Sequence, residues 1–254
     1  MRNIIALADK ELRSYFASPI AYIIIGLFSL LFGWFFYVYV SYFLRQSMQM
    51  QFGGGGNMNV NQAVIRNVLM NASVIILFVM PMITMRTYAE EKRSGTIELL
   101  LTSPVTDFQI IMGKFLGALG VYVAMLAVTV LYVAVLFWYG NPEWRPIAAG
   151  YLGLLLIGAS FVAWGLFLSS VTKNQIVAAF LTFAFFLMLW VINWIGDSSG
   201  PTTQAITSYL SITEHLDDFT KGVIDTKHVI YYLSFITFGL FLTAKSVDSE
   251  RWRG

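Results

Sequence analysis

The chain has 254 residues, of which 57% are hydrophobic, 16% aromatic and only 12% charged. A soluble domain carries roughly 25% charge, so this composition excludes both a water-soluble domain and a disordered chain and leaves an integral membrane protein. The net charge is +2 with dispersed basic residues, which argues against nucleic acid as a partner, and the absence of cysteine excludes disulfides, thiolate nucleophiles and Cys-type zinc sites.

At the N-terminus, Ile4, Ile5, Ala8, Leu12, Tyr15 and Phe16 share one helical face and Arg2, Asp9 and Arg13 another, with Glu11 out of pattern. This predicts an interfacial helix over residues 1–18, with a solvated tail as the alternative. Asp9-Lys10-Glu11 and Arg13 interrupt the apolar run, so a cleaved signal peptide is not expected. Ser18-Pro19 ends the helix, because the residue before proline avoids helical backbone.

A charge at the bilayer centre costs about 3 kcal/mol on insertion scales, so the long charge-free gaps place the spans. Six are predicted, near Ile20–Leu44, Val68–Met85, Ile111–Tyr139, Ile147–Val171, Gln175–Ile195 and Val229–Ala244, the last being the shortest. The fold class is therefore an all-α membrane protein. Gln46 to Asn61 is also uncharged, but its Gln, Asn and Met residues and the run Gly53–Gly56 predict a flexible loop.

The connection 86–114 carries the most information. Gly95 interrupts the basic continuation of the second span, Thr96 can cap a short helix whose early Glu98 suits the helix dipole, and Ile97, Leu100 and Leu101 can share an apolar face. Ser103-Pro104 ends it, and Thr106 to Gln109 has capping-box spacing, so the third long helix should start below the membrane surface. Such a short helix can transmit motion from a partner into the spans; an ordinary amphipathic loop fits the same residues. Gly113, Gly117 and Gly120 on the third span, and Gly150, Gly153, Gly158 and Gly165 on the fourth, permit close packing within one subunit or between two.

The segment 196–228 is too long for a plain turn. Ser211 to Glu214 has capping-box spacing, Leu216 and Phe219 are placed to face the membrane, and Gly222 suits a helix end. A short outer helical element is expected, with Glu214, His215, Asp217, Asp218 and Phe219 as its candidate functional residues. An exit lid, a docking surface for an envelope partner and a structural cap all fit it. His215 and His228 are the only histidines; a metal site or a solvated acidic helix face are the two readings of them and the nearby aspartates.

Counting Lys and Arg in alternate connections gives eleven on the side of the termini and five on the other, which predicts cytoplasmic termini. Trp138, Trp144, Trp190 and Trp194 then form an outer aromatic belt, whereas Trp34 and Trp164 lie deeper. Gly113-Lys114 lacks the upstream glycine of a phosphate-binding loop, so the chain is not expected to hydrolyse ATP. Asn71, Asn193 and scattered Ser and Thr are the polar groups within spans, expected to make local or interhelical hydrogen bonds. The lack of intramembrane charge argues against a proton- or sodium-coupled carrier, and no clustered acid–base constellation suggests an enzyme.

The run Glu90-Glu91-Lys92-Arg93-Ser94-Gly95-Thr96-Ile97-Glu98-Leu99-Leu100, followed by Thr102-Ser103-Pro104 and Gly113-Lys114, resembles the signature of type-2 ABC exporter permeases. Lys10 to Tyr22, Gly165 to Ser170 with Thr172 to Gln175, and Phe219 to Asp225 resemble the branch that includes gliding-motility-associated permeases and those serving nitrous-oxide-reductase maturation. The resemblance covers nearly the whole chain.

It implies a half-transporter of the bacterial inner membrane, a single permease domain over 1–254 surrounded by membrane lipid. Two permease copies, as a homodimer or with a close paralogue, would work with two separate ABC ATP-binding subunits. ATP and magnesium would bind those subunits, and this chain would hold no cofactor. Glu91, Gly95, Thr96, Glu98, Leu99, Leu100, Leu101, Ser103 and Pro104 would form the ATPase-coupling interface. Family substrates include lipids, polysaccharides, drugs and peptides, so the resemblance names none. A membrane scaffold that transmits force from the same ATPase is the rival reading.

Overall fold

The computed structural model describes residues 2–53, 59–102, 104–197 and 200–251. They form helices α1 (Arg2–Ala17), α2 (Pro19–Gly53), α3 (Arg66–Thr84, entered through a π-helical turn Asn61–Ile65), α4 (Ala89–Ser94) and α5 (Ile97–Leu101). These are followed by α6 (Asp107–Tyr139), α7 (Trp144–Val171), α8 (Gln175–Asp197), α9 (Pro201–Leu210), α10 (Glu214–Thr220) and α11 (Thr226–Arg251). No strand occurs among the described residues. Six helices, α2, α3, α6, α7, α8 and α11, are long and apolar enough to cross a membrane, so the all-α fold class holds.

Helix α7 is the axis of the bundle and packs against α3, α6, α8, α10 and α11. In the most apolar stretch of each helix, 72% of α7 and 67% of α3 is buried, against 17% of α2 and 22% each of α8 and α11. Glycine makes the central packing possible. A Cβ on Gly158 would lie 2.1 Å from the Tyr122 ring, one on Gly165 2.3 Å from Thr84 Oγ1, and one on Gly150 2.4 Å from Leu69. The α7 glycines therefore seat α6 and α3 of the same chain. The α6 glycines do likewise for α1: Gly113 meets Leu7, Gly117 meets Glu11 and Gly120 meets Leu12.

Several expectations change. Helix α2 continues through Gln46–Gly53 instead of breaking into a loop, because Gln and Met are good helix formers and glycine only begins at Gly53; Gly54 to Gly56 lie outside the described residues. Helix α11 is not the shortest span but runs for 26 residues to Arg251. The inward face of α1 carries Leu7, Glu11 and Tyr15, while Ile5 is 67% exposed. The deep tryptophans separate: Trp34 points outward, whereas Trp164 is stacked between Phe185 and Phe235 at 4.4 and 4.9 Å and donates its indole N–H to the Phe235 carbonyl at 3.0 Å. The side chain of Asn193 lies outside the described residues, and Asn71 Nδ2 donates to Asn67 O and Tyr39 Oη, as a local and interhelical bond.

Candidate coupling site

The α3–α5 segment sits beside the end of α1 and the end of α11, through Arg86 to Ser14 O and Lys92 to Glu250. Helix α3 does not run on to Gly95. It breaks at Met85–Tyr88, where Thr87 N bonds back to Thr84 O instead of to Ile83 O. Such a break frees backbone groups that are costly to bury unpaired, and neighbouring helices supply their partners. The Tyr15 hydroxyl of α1 donates to Ile83 O at 2.7 Å. Ser169 of α7 accepts from Tyr88 N at 3.1 Å and Ala89 N at 3.0 Å, and donates to Met85 O at 2.9 Å. Lys114 of α6 donates to Thr87 O at 2.9 Å. Three helices thus hold one hinge.

Charge then fixes α4. The Lys114 side chain is 3% exposed, and its ammonium lies 3.0 Å from Glu11 Oε1 and 2.7 Å from Glu91 Oε1. This explains why Glu11 breaks the apolar pattern of α1: it faces inward to meet a buried cation. Lys92, equally buried, contacts Glu250 of α11 at 2.5 Å. Arg86 lies over the Tyr15 ring at 4.3 Å, and burial raises the Tyr15 phenol well above its ordinary value, so it stays a hydroxyl donor.

Beyond the hinge, Gly95 has φ of 73°, a left-handed turn that glycine adopts without a Cβ clash, and this ends α4. Ile97 turns inward, while Glu98 and Leu99 of α5 are exposed, Leu99 at 73%. The Thr96 hydroxyl lies 2.9 Å from that of Ser94. Ser103 and the side chains of Leu100 and Leu101 lie outside the described residues; Pro104 is exposed. The predicted capping box is present, with Thr106 and Gln109 reciprocally bonded, and α6 starts at Asp107. Of the expected interface residues, Glu98 and Leu99 are therefore outward and Glu91 is turned inward to Lys114. A cavity of about 610 Å³ opens between α1 and α4, with Lys10, Arg86 and Glu90 on its walls, and the buried Glu91 Oε2 finds no partner among the described residues.

The segment expected to form the outer element consists of α9 and α10. The capping box expected at Ser211 is not formed: Ser211 is the C-cap of α9 and its hydroxyl meets that of Thr213, and α10 has no side-chain cap. Leu216 and Phe219 do not face the membrane but fill the notch left by Gly153 of α7. Asp217 binds Arg66 of α3 at 2.7 Å and also Lys221. Burial works to raise the Asp217 carboxyl, but the hydrogen bonds and charges of Lys221 and Arg66 outweigh it and hold it below the usual range. Glu214 is exposed at the start of α10, and His215 is buried beside His228. Among the described residues no group of three or more His, Asp or Glu side chains forms a cluster able to hold a metal ion. Sequence reasoning missed the α3 hinge, because nothing in Met85–Tyr88 is a helix breaker, and it missed the histidine pair, because thirteen positions separate the two.

The sequence model of the ABC-2 family transporter proteins matches residues 5–244. The chain belongs to this family. It is similar to the probable multidrug ABC transporter permease YbhR of Escherichia coli strain K12 and of Escherichia coli O157:H7, 27% identical to each over 143 residues. The match covers 56% of this chain, which spans 38% of the length of those curated relatives. The chain is thus an ABC-2 family transporter protein with six helices long and apolar enough to cross a membrane.

Proposed function

We propose that this ABC-2 permease is half of an ATP-driven exporter of the bacterial inner membrane, with cytoplasmic termini. Two copies of the chain pair with two ATP-binding subunits, and α4–α5 receives their movement. The observation that carries this reading is the hinge at Met85–Tyr88, stitched to α1, α6 and α7 by Tyr15, Lys114 and Ser169. A force applied to α5 reaches α4 through Gly95, and α4 is tied to α6 by Glu91 and to α11 by Lys92. A displacement of the segment therefore moves the helix ends as a set.

Among the described side chains of α5, Glu98 and Leu99 point outward, one charged and one apolar, and such a pairing of anchor and rim suits a protein interface. The double variant Glu98→Arg, Leu99→Asp should lose co-purification of the ATP-binding subunit or uncouple its ATP hydrolysis, while the permease still inserts and keeps its thermal stability. Wild-type binding, hydrolysis and biological activity in that variant would remove the assignment. Sidedness is checked in the cysteine-free background: a cysteine at Leu99 should resist an impermeant reagent added outside cells, and one at Thr213 should label. Cargo-stimulated ATP hydrolysis in the reconstituted complex separates export from a force-transmitting scaffold.

A further inference from the structure

The fold brings together the two histidines of the chain, His215 in α10 and His228 in the first turn of α11, and buries both. His215 Nδ1 faces His228 Nδ1 at 2.6 Å. The far nitrogen of each ring meets an oxygen: His215 Nε2 lies 2.9 Å from the Tyr209 carbonyl, and His228 Nε2 lies 2.8 Å from Asp218 Oδ2. A line of four ring nitrogens therefore runs from a carbonyl to a carboxylate.

The proton count along this line is fixed by its two ends. A carbonyl oxygen only accepts a hydrogen bond, and so does an ionised carboxylate, so both Nε2 atoms carry hydrogen. The central contact needs one proton. With none, two lone pairs face each other; with two, N–H groups collide. That makes three protons on two rings, one more than two neutral imidazoles hold. The pair thus carries one positive charge beside the negative Asp218.

We propose that the outer element binds a single proton, shared by His215 and His228, and stays latched to α11 only while it holds that one proton. Lys221 also approaches the carboxylate end of the line, 3.6 Å from Asp218 Oδ1, and the other charged neighbours have partners of their own. Asp217 is committed to Arg66 and Lys221, and Asp225 to Lys227. Tyr231 stacks on His215 at 3.8 Å and donates its hydroxyl to Leu210 O, while Tyr232 donates to Ile212 O. Tyr209 presents its ring edge-on to His215, and Glu214 sits exposed at the start of α10. From the side of α7, Gly153 meets Leu216 and Phe219 and Gly150 meets Thr220, contacts without charge. Burial first, with the charges of His228 and Lys227, makes His215 a weaker base than a free imidazole, against the pull of the Tyr209 carbonyl and Asp218. A second proton therefore enters only in acid, and when it does the rings must part.

The test is ¹⁵N-histidine NMR of the full chain in lipid nanodiscs, purified through a tag without histidine. Near neutral pH the four ring nitrogens should show three protonated and one bare, with one ring an imidazolium. Two neutral rings, or two rings that titrate independently, overturn the proposal. A second measurement follows amide exchange over residues 214–220 from about pH 8 down to about pH 5, the range in which histidine changes charge, after correction for intrinsic exchange. Protection should fall by up to about tenfold per pH unit on the acid side. His215→Phe keeps a ring on Tyr231 and should abolish that fall; an unchanged fall in this variant also overturns the proposal.

Discussion

Replacing Ser169 with alanine removes one oxygen and breaks three hydrogen bonds at the α3–α4 hinge. Its hydroxyl accepts from Tyr88 N and Ala89 N and donates to Met85 O, and the side chain is fully buried. Each buried backbone group left unpaired costs about 1–3 kcal/mol, so even the lower figure for all three gives about 3 kcal/mol. Because the loss is local, it should appear as local opening: about 1.4 kcal/mol is tenfold in an equilibrium, and amide protection at Tyr88 and Ala89 should fall roughly a hundredfold. The control is on the same helix. Ser160 is equally buried but bonds only Leu156 O within α7, so Ser160→Ala should leave hinge protection unchanged. Hydrogen exchange of peptides covering residues 85–92, with the permease in nanodiscs, reads the difference. Equal protection in the two variants would refute the claim that Ser169 satisfies the hinge.

Lys114→Met should destabilise the permease by about 3–5 kcal/mol, since it strands two largely buried carboxylates; adding Glu11→Gln and Glu91→Gln should restore most of the apparent melting temperature. Gly158→Ala drives a methyl into the Tyr122 ring and should cost about 1–3 kcal/mol by overpacking, read as reduced thermal stability and relieved by Tyr122→Leu. Acid should loosen the contact between α3 and α10. The Asp217 carboxyl is held below its ordinary value of 3.8, so its contribution is complete above that value and lost as pH falls through the lowered one. Arg66→Gln should shrink that acid-side loss in a melting series over pH, and an unchanged loss would contradict the assignment.

The spans and their number were legible in the sequence, because burying an unpaired charge in hydrocarbon is so costly that long charge-free runs have few other uses. The capping box at Thr106 and the glycine turn at Gly95 were legible for a similar reason: each depends on residues only a few positions apart. Glu11 was visible only as an anomaly. Its reason is a lysine on α6, and the pair exists because Gly117 lets α1 approach that closely. The hinge at Met85–Tyr88 left only a faint local mark, Pro81 one turn before it and the Thr87 hydroxyl that donates to Thr84 O, since Ser169, Lys114 and Tyr15 stabilise it from three other helices. The same holds for Leu216 and Phe219, apolar residues that either lipid or Gly153 could accept. Local chemistry selects helix, turn and span, whereas the choice among partners for a buried polar group or an apolar face is made by which helices meet, and only the tertiary structure decides that.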